Sequence, residues 1–230
     1  MENKNAKYNR LDVKKLCGMA MFSALAVIAT FLTKWIEVFF LTFDAKDAVI
    51  TIAAYVYGPL SGVIMGILSC VIETLVIPDT RLYGLVMNII SSVIFSFTAS
   101  FVYKLKRNIN GAIVGIFLAV IATTFIMLLA NYFITPIYLE KVHGMTEGAR
   151  AYVVELIPTL LLPFNMAKAL MNGALAMFLY RPLLLALSKA CLINKKVNIG
   201  FNKNSIIIIA FGTVFIIASI VLFVVLMQKW

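Results

Sequence analysis

The sequence predicts an all-α integral membrane protein, in which a six-helix bundle is followed by one additional C-terminal transmembrane helix. Composition is the first reason, because 63% of the 230 residues are hydrophobic and the mean hydropathy is +1.00. Soluble domains are typically about 45–50% apolar. The second reason is that several apolar runs reach the roughly 20 residues a helix needs to cross a bilayer. The sequence lacks the short alternating segments that are typical of outer-membrane barrels.

Polar and turn-forming residues divide the N-terminal half of the chain into four predicted helices. The polar, basic N-terminus precedes an apolar run that is too long for the h-region of a signal peptide, so the first helix is expected to stay uncleaved. The segment Lys34–Asp47 mixes aromatic and charged residues and is too short to span, which indicates an interfacial loop. Gly58-Pro59 and Pro78-Asp79-Thr80 are turn signals. The predicted helices cover Asp12–Thr33, Ala48–Tyr57, Leu60–Ile77 and Leu82–Tyr103.

Three further helices are predicted in the C-terminal half. The fifth covers Ala112–Ile134 and is followed by Pro136. The charged segment Tyr138–Glu155 is expected to be a loop. The sixth helix lies in the apolar run Leu156–Leu187, and the seventh covers Ser205–Met227 and contains no charged residue.

The chain is therefore expected to have three parts. Residues 1–187 would form the six-helix domain, residues 188–204 a basic cytoplasmic linker, and residues 205–230 the additional transmembrane helix. A uniformly apolar helix of this kind is typical of lipid-facing packing or anchoring.

The sixth helix carries a polar stripe inside its apolar run. Asn165, Lys168 and Asn172 follow the spacing i, i+3, i+7 and so share one helix face. A lysine in hydrocarbon costs a few kcal/mol or more and usually faces a bundle interior or a wet cavity. The stripe therefore predicts a site for a polar small molecule. The alternative is that Lys168 snorkels to an interface or pairs with an acid such as Glu73.

The distribution of charge predicts the orientation of the protein in the plasma membrane. With a cytoplasmic N-terminus, inner segments hold 13 of the 20 basic residues and only two acids, as the positive-inside rule requires. This multi-pass topology brings Asn131, the outer half of the polar stripe and the Lys34–Asp47 loop to the same side. Aromatic residues of that loop could stack on a flat ligand or form an ordinary interfacial belt.

Several functional classes are not supported by the sequence. There is no GxxxxGK[ST] motif for ATP, and the three cysteines are scattered without metal-ligand spacing. His143 is the only histidine, which excludes a histidine-based metal cluster or catalytic triad. The net charge of +10 follows membrane topology rather than nucleic-acid binding. No cofactor, metal site or enzymatic activity is therefore expected.

Small residues on the first helix indicate a contact with another helix. Ala20 and Ala24 are four residues apart, a spacing that allows close helix approach. From the sequence alone, packing within this chain and docking to another protein are equally compatible with the pattern.

Five short motifs, in this order, resemble the substrate-binding S component of energy-coupling factor (ECF) transporters, most closely the riboflavin-specific RibU group. They are LTFDAKDA, YGPLSGV, GLVMNIISS, NYFITPIY and LLPFNMAKAL, and the resemblance covers roughly Leu16–Leu187. It implies a six-helix membrane protein that captures a vitamin from outside. It also implies docking onto a transmembrane coupling protein and two ATPase subunits, which would supply the energy that a chain without a P-loop cannot.

The resemblance implies roles for individual residues. Asn131, Asn165 and Lys168 match positions that contact the flavin ring. Ala20 and Ala24 match the small-residue motif that docks to the coupling protein. The residues that fall where the first external loop caps the ligand are Leu41, Thr42, Phe43 and Asp44.

Two features depart from the family pattern. The seventh helix is additional, and the segment Cys70–Arg81 with Glu73 does not match the riboflavin-specific group. An S component for a different vitamin or nucleobase-like compound therefore stays open. An intramembrane enzyme or an autonomous proton-coupled carrier is a further alternative, with Glu73 and Lys168 as the internal titratable pair of such a carrier.

Overall fold

The protein is a bundle of α-helices with one short hairpin, as seen in a computed structural model that describes residues 4–76, 81–106, 108–145, 148–189 and 203–229. The helices are α1 (Lys4–Thr33), α2 (Lys46–Tyr57), α3 (Pro59–Val76), α4 (Arg81–Lys106), α5 (Ile109–His143), α6 (Ala149–Leu156), a π-helical turn (Ile157–Leu161), α7 (Leu162–Lys189) and α8 (Lys203–Lys229). The strands are β1 (Glu37–Val38) and β2 (Leu41–Thr42).

The prediction of an all-α membrane protein is confirmed. Within the described ranges, six helical segments are long and apolar enough to cross a membrane. The predicted second helix is the exception, because α2 has only 12 residues and most of them are buried among the other helices. The turn predicted at residues 78–80 and most of the linker predicted at residues 188–204 lie outside the described residues.

The loop predicted between the fifth and sixth helices is wrong over most of its length. Helix α5 continues through Pro136 as far as His143, and α6 begins at Ala149. A proline removes one backbone hydrogen bond, but membrane helices tolerate this loss when neighbouring groups satisfy the freed carbonyl. Charged residues beyond Pro136 lie in the extended end of α5 and in α6. A cluster of charged residues was therefore not enough to predict a loop.

The helix that contains the polar stripe begins with a π-helical turn. Leu162 donates its backbone N–H to the carbonyl oxygen of Ile157, five residues earlier. Pro158 lies within this turn and Pro163 follows it, and neither has an N–H to donate, which disfavours regular α-helical bonding here. Such π-turns are rare and often occur at functional sites.

The predicted external loop contains a two-stranded hairpin. Glu37 pairs with Thr42 and Val38 with Leu41. Phe39 at its tip has φ 57°, in the left-handed region that non-glycine residues seldom adopt. The hairpin places Leu41 and Thr42 immediately before the buried N-terminus of α2.

The bundle is held by three clusters of buried apolar residues. One lies between α2, α4, α5, α7 and α8, and another between α1, α2 and α3. The third joins the hairpin segment, α6, the π-turn, α7 and the end of α8. It therefore lies next to the polar stripe and supports the site described below.

Candidate functional site

A cavity of about 100 Å³ lies between the hairpin, α4, α5 and α7. The four elements contribute both polar and aromatic side chains to its walls. The lining residues are Phe40, Leu41, Thr42, Tyr83, Gly84, Met87, Asn88, Met127, Asn131, Ile134, Thr135, Tyr138, Phe164, Asn165 and Lys168. The convergence that the sequence predicted is thus present in the structure, because Asn131, Asn165, Lys168 and the external hairpin meet around one space.

Two asparagines give the cavity fixed amide groups. The Asn131 amide donates to the carbonyl oxygen of Met127 at 2.7 Å and accepts from the Thr135 hydroxyl at 2.9 Å. The Asn165 amide donates to the carbonyl oxygen of Leu161 at 2.7 Å, at the end of the π-turn. Within the described part of the chain no further hydrogen bond is recorded for Asn165. Its carbonyl oxygen can therefore accept one from a guest molecule.

Aromatic rings form another part of the cavity wall. The ring of Tyr138 contacts those of Phe40 and Tyr83, with centroid separations of 6.4 Å and 6.0 Å. These rings come from α5, the hairpin and α4, so the contacts tie three elements together. An aromatic wall opposite hydrogen-bonding groups suits a flat heterocycle, which needs both stacking surface and polar partners at its edge.

The charged member of the stripe pairs with an acid from the hairpin segment. The Lys168 ammonium lies 2.7 Å from the Asp44 carboxylate, and both side chains are at least nine-tenths buried. Burial by itself would raise the pKa of the Asp44 carboxyl, but the ammonium groups of Lys168 and Lys46 lower it below its usual value. The ion pair with Asp44 fixes the Lys168 ammonium at the cavity wall.

The ion pair continues into the bundle. Lys46 contacts Asp44 at 3.2 Å and Glu73 at 2.7 Å. Glu73 in turn accepts a hydrogen bond from the Asn88 amide at 3.4 Å, and Asn88 lines the cavity. From the sequence alone, Glu73 is a possible partner of Lys168. This alternative is wrong, because Glu73 pairs with Lys46 and Lys168 pairs with Asp44. The pair expected for a proton-coupled carrier, Glu73 with Lys168, is not formed.

The third residue of the stripe supports α2 instead of lining the cavity. Asn172 is fully buried, donates to the Asp44 carbonyl oxygen at 2.8 Å and accepts from the Ala48 backbone N–H at 3.0 Å. The first backbone N–H groups of a helix lack intrahelical partners, and Ala45 at the N-cap has no side-chain acceptor. Asn172 supplies that acceptor from α7 and so fixes the start of α2 below the site.

Two residues predicted to contact the ligand are near the cavity without lining it. Phe43 is buried in the apolar cluster behind the hairpin, and Asp44 contacts the cavity through Lys168. The small residues Ala20 and Ala24 are exposed on α1 and do not line this cavity.

Sequence reasoning missed the contribution of α4. Tyr83, Gly84, Met87 and Asn88 all line the cavity and follow the spacing of one helix face. An asparagine in the middle of an apolar run was the available signal, of the same kind that singled out Lys168. A second missed set, Thr135 and Tyr138, lies one and two turns beyond Asn131 on α5.

The model of the family described as "ECF transporter, substrate-specific component" matches residues 14–184, about three quarters of the chain. The chain belongs to this family. The match ends before α8 begins, and it includes every residue that lines the cavity.

This ECF substrate-specific component is similar to two named proteins and to one solved structure. It is 28% identical to "Riboflavin transporter RibU" of Staphylococcus aureus over 79% of this chain and 96% of that protein. It is 27% identical to "Riboflavin transporter FmnP" of Bacillus subtilis over 70% of this chain and 86% of that protein. A solved structure, titled "Structure and mechanism of the S component of a bacterial ECF transporter", matches with TM-score 0.60 and 26% identity, covering 76% of this chain and 98% of that one.

The family assignment confirms the predicted class of function. ECF substrate-specific components are membrane subunits that bind a vitamin and pair with the transmembrane and ATPase modules of the transporter. The family is a transport subunit, not an enzyme.

Proposed function

We propose that this ECF substrate-specific component captures riboflavin, or a closely related flavin, from the outside of the cell. The proposal depends on one observation: three amides, one ammonium and four aromatic rings line the same cavity. The names of its relatives in Staphylococcus aureus and Bacillus subtilis support the same ligand.

The lining residues suit the chemistry of a flavin ring. Asn131 and Asn165 each present amide groups to a heterocyclic edge that alternates C=O and N–H, and Lys168 adds a positively charged donor. The aromatic and methionine side chains supply apolar surface for the flat ring system. Leu41 and Thr42 of the hairpin cover the ligand, while Phe43 and Asp44 hold the hairpin and Lys168 in place.

The proposed orientation has the N-terminus in the cytoplasm and the hairpin outside. The excess of basic residues in the segments that would then be cytoplasmic supports this orientation. The cavity, which lies at the hairpin end of α5 and α7, would then receive its ligand from the external side. Trp35 and Phe39, both more than half exposed, would lie at that membrane interface.

Ligand identification on the purified full-length chain tests this proposal. We expect protein expressed in a riboflavin-containing medium to retain a flavin that absorbs in the flavin band, with mass spectrometry identifying it as riboflavin. Retention of a different vitamin or of a nucleobase-like compound would keep the transport class and replace the ligand. Protein that neither carries nor binds any flavin would refute the riboflavin assignment.

A bulky substitution on α1 should separate ligand capture from transport. We propose that Ala20 and Ala24, both exposed, form the contact with the coupling protein. Ala20→Trp should then abolish uptake by the complete transporter and leave ligand binding unchanged, because the indole prevents close helix approach. Uptake in whole cells and titration of the purified variant measure the two effects.

The matched control is Ala210→Trp, which makes the same change at an exposed alanine of α8. It should retain both uptake and binding. Full uptake by Ala20→Trp would show that α1 does not dock through this face.

A further inference from the structure

Helix α8 lies outside the family match and packs closely along α7. Ser219 donates to the carbonyl oxygen of Ala167 at 2.8 Å, and both partners are buried. At one position a glycine allows the close approach, because a Cβ on Gly212 would lie 2.9 Å from the ring of Phe178. These contacts show that α8 is fitted to the bundle along one face, beyond what an anchor in lipid requires.

The end of α8 reaches the wall of the binding cavity. Phe223 makes edge-to-face contacts with Phe43 at 5.7 Å and with Phe164 at 5.8 Å between ring centroids. Phe43 directly follows the cavity residue Thr42, and Phe164 lines the cavity next to Asn165. Phe223 itself is only 8% exposed and does not line the cavity. It therefore connects the hairpin segment to α7 from behind.

We propose that α8 is a positioning element of the binding site, in which Phe223 holds the hairpin segment and the α7 wall at the separation that the ligand requires. This positioning role rests on the proposed function in one respect only, which is that the ligand is riboflavin. It gives a role to a helix that the family match does not include, at a place where that helix approaches the site.

Edge-to-face aromatic pairs are rigid contacts that add stability beyond the apolar area they bury. A lipid chain could fill the space left by Phe223, but it would not fix the positions of two rings, because an acyl chain is flexible. Loss of Phe223 should therefore loosen Phe43 and the hairpin while most of the bundle keeps its packing.

A pair of matched variants in lipid nanodiscs tests the proposal. Phe223 and Phe215 lie on the same helix and are 8% and 7% exposed, but Phe215 packs against the part of α7 around Gly173. Phe223→Ala should raise the dissociation constant for riboflavin about tenfold, from the loss of two aromatic pairs. Phe215→Ala should lower the melting temperature as much as Phe223→Ala does. It should change the dissociation constant less than twofold.

Hydrogen exchange provides a readout that does not depend on the ligand. The backbone amides of residues 41–45 should exchange several-fold faster in Phe223→Ala than in Phe215→Ala, both without ligand. Phe223→Leu, which restores most of the volume but neither aromatic contact, should recover little of the protection. If the wild-type protein binds no riboflavin, the proposed function fails, and the exchange comparison still decides the role of α8. Equal exchange at residues 41–45 in the two alanine variants would overturn the positioning role, whatever their affinities.

Discussion

Asp44→Asn is expected to lower the free energy of unfolding by about 3–5 kcal/mol, the usual cost of breaking a buried ion pair by removing one partner. Asp44 is the acid that both Lys168 and Lys46 contact, at 2.7 Å and 3.2 Å. An amide in its place would leave Lys46 paired with Glu73 and Lys168 without an anion. Reversible unfolding in mixed detergent micelles would measure the change.

Two further variants sharpen this test. Asp47→Asn is the matched control, because Asp47 is as buried as Asp44 but its carboxylate accepts hydrogen bonds from the hydroxyls of Ser91 and Ser92. Asp47→Asn should lower the free energy of unfolding much less than Asp44→Asn. Adding Lys168→Met to Asp44→Asn should restore part of the lost stability, because both charges are then absent. Equal losses for the two aspartates would contradict the importance of the Lys168–Asp44 pair.

Lys168→Met is expected to weaken riboflavin binding about 10- to 100-fold, because a hydrogen bond to a charged group contributes about 1.5–3 kcal/mol. Among the described residues that line the cavity, Lys168 is the only one that carries a charge. Methionine keeps a similar length and removes the ammonium. Quenching of flavin fluorescence by the purified protein would measure the dissociation constant.

The matched control for this variant is Lys46→Met. Lys46 contacts the same carboxylate and is also buried, but it does not line the cavity. It should lower stability, because Glu73 would lose its ammonium partner, and leave the affinity of the folded protein within a few-fold of wild type. The same loss of affinity in both variants would mean that Lys168 acts through the charge network and does not contact the ligand.

The sequence predicted the fold class and much of the site for a clear physical reason. A bilayer penalises polar groups, so each asparagine or lysine inside an apolar run is informative. This is why Asn131, Asn165 and Lys168 could be recognised, and topology then placed them on one side. The same reasoning applied to Asn88 would have added α4 to the site.

Other parts could not be predicted because they depend on distances between remote residues. Lys168 and Asp44 are 124 positions apart, and the sequence contained several acids that could have paired with the lysine. Spacing along a helix could not distinguish Asn172, which supports α2, from Asn165, which lines the cavity. The extension of α5 through Pro136 was missed because a proline and nearby charges resemble a helix end when packing is unknown.

The chain of buried charges from Lys168 through Asp44 and Lys46 to Glu73 has a consequence for the history of this protein. The four residues come from three parts of the chain, and two ammonium groups face two carboxylates, so a neutral residue at any one position leaves an unbalanced charge away from water. Substitutions at these sites that keep the protein folded would then occur in compensating pairs. Across orthologues, positions 44, 46, 73 and 168 should vary together or not at all.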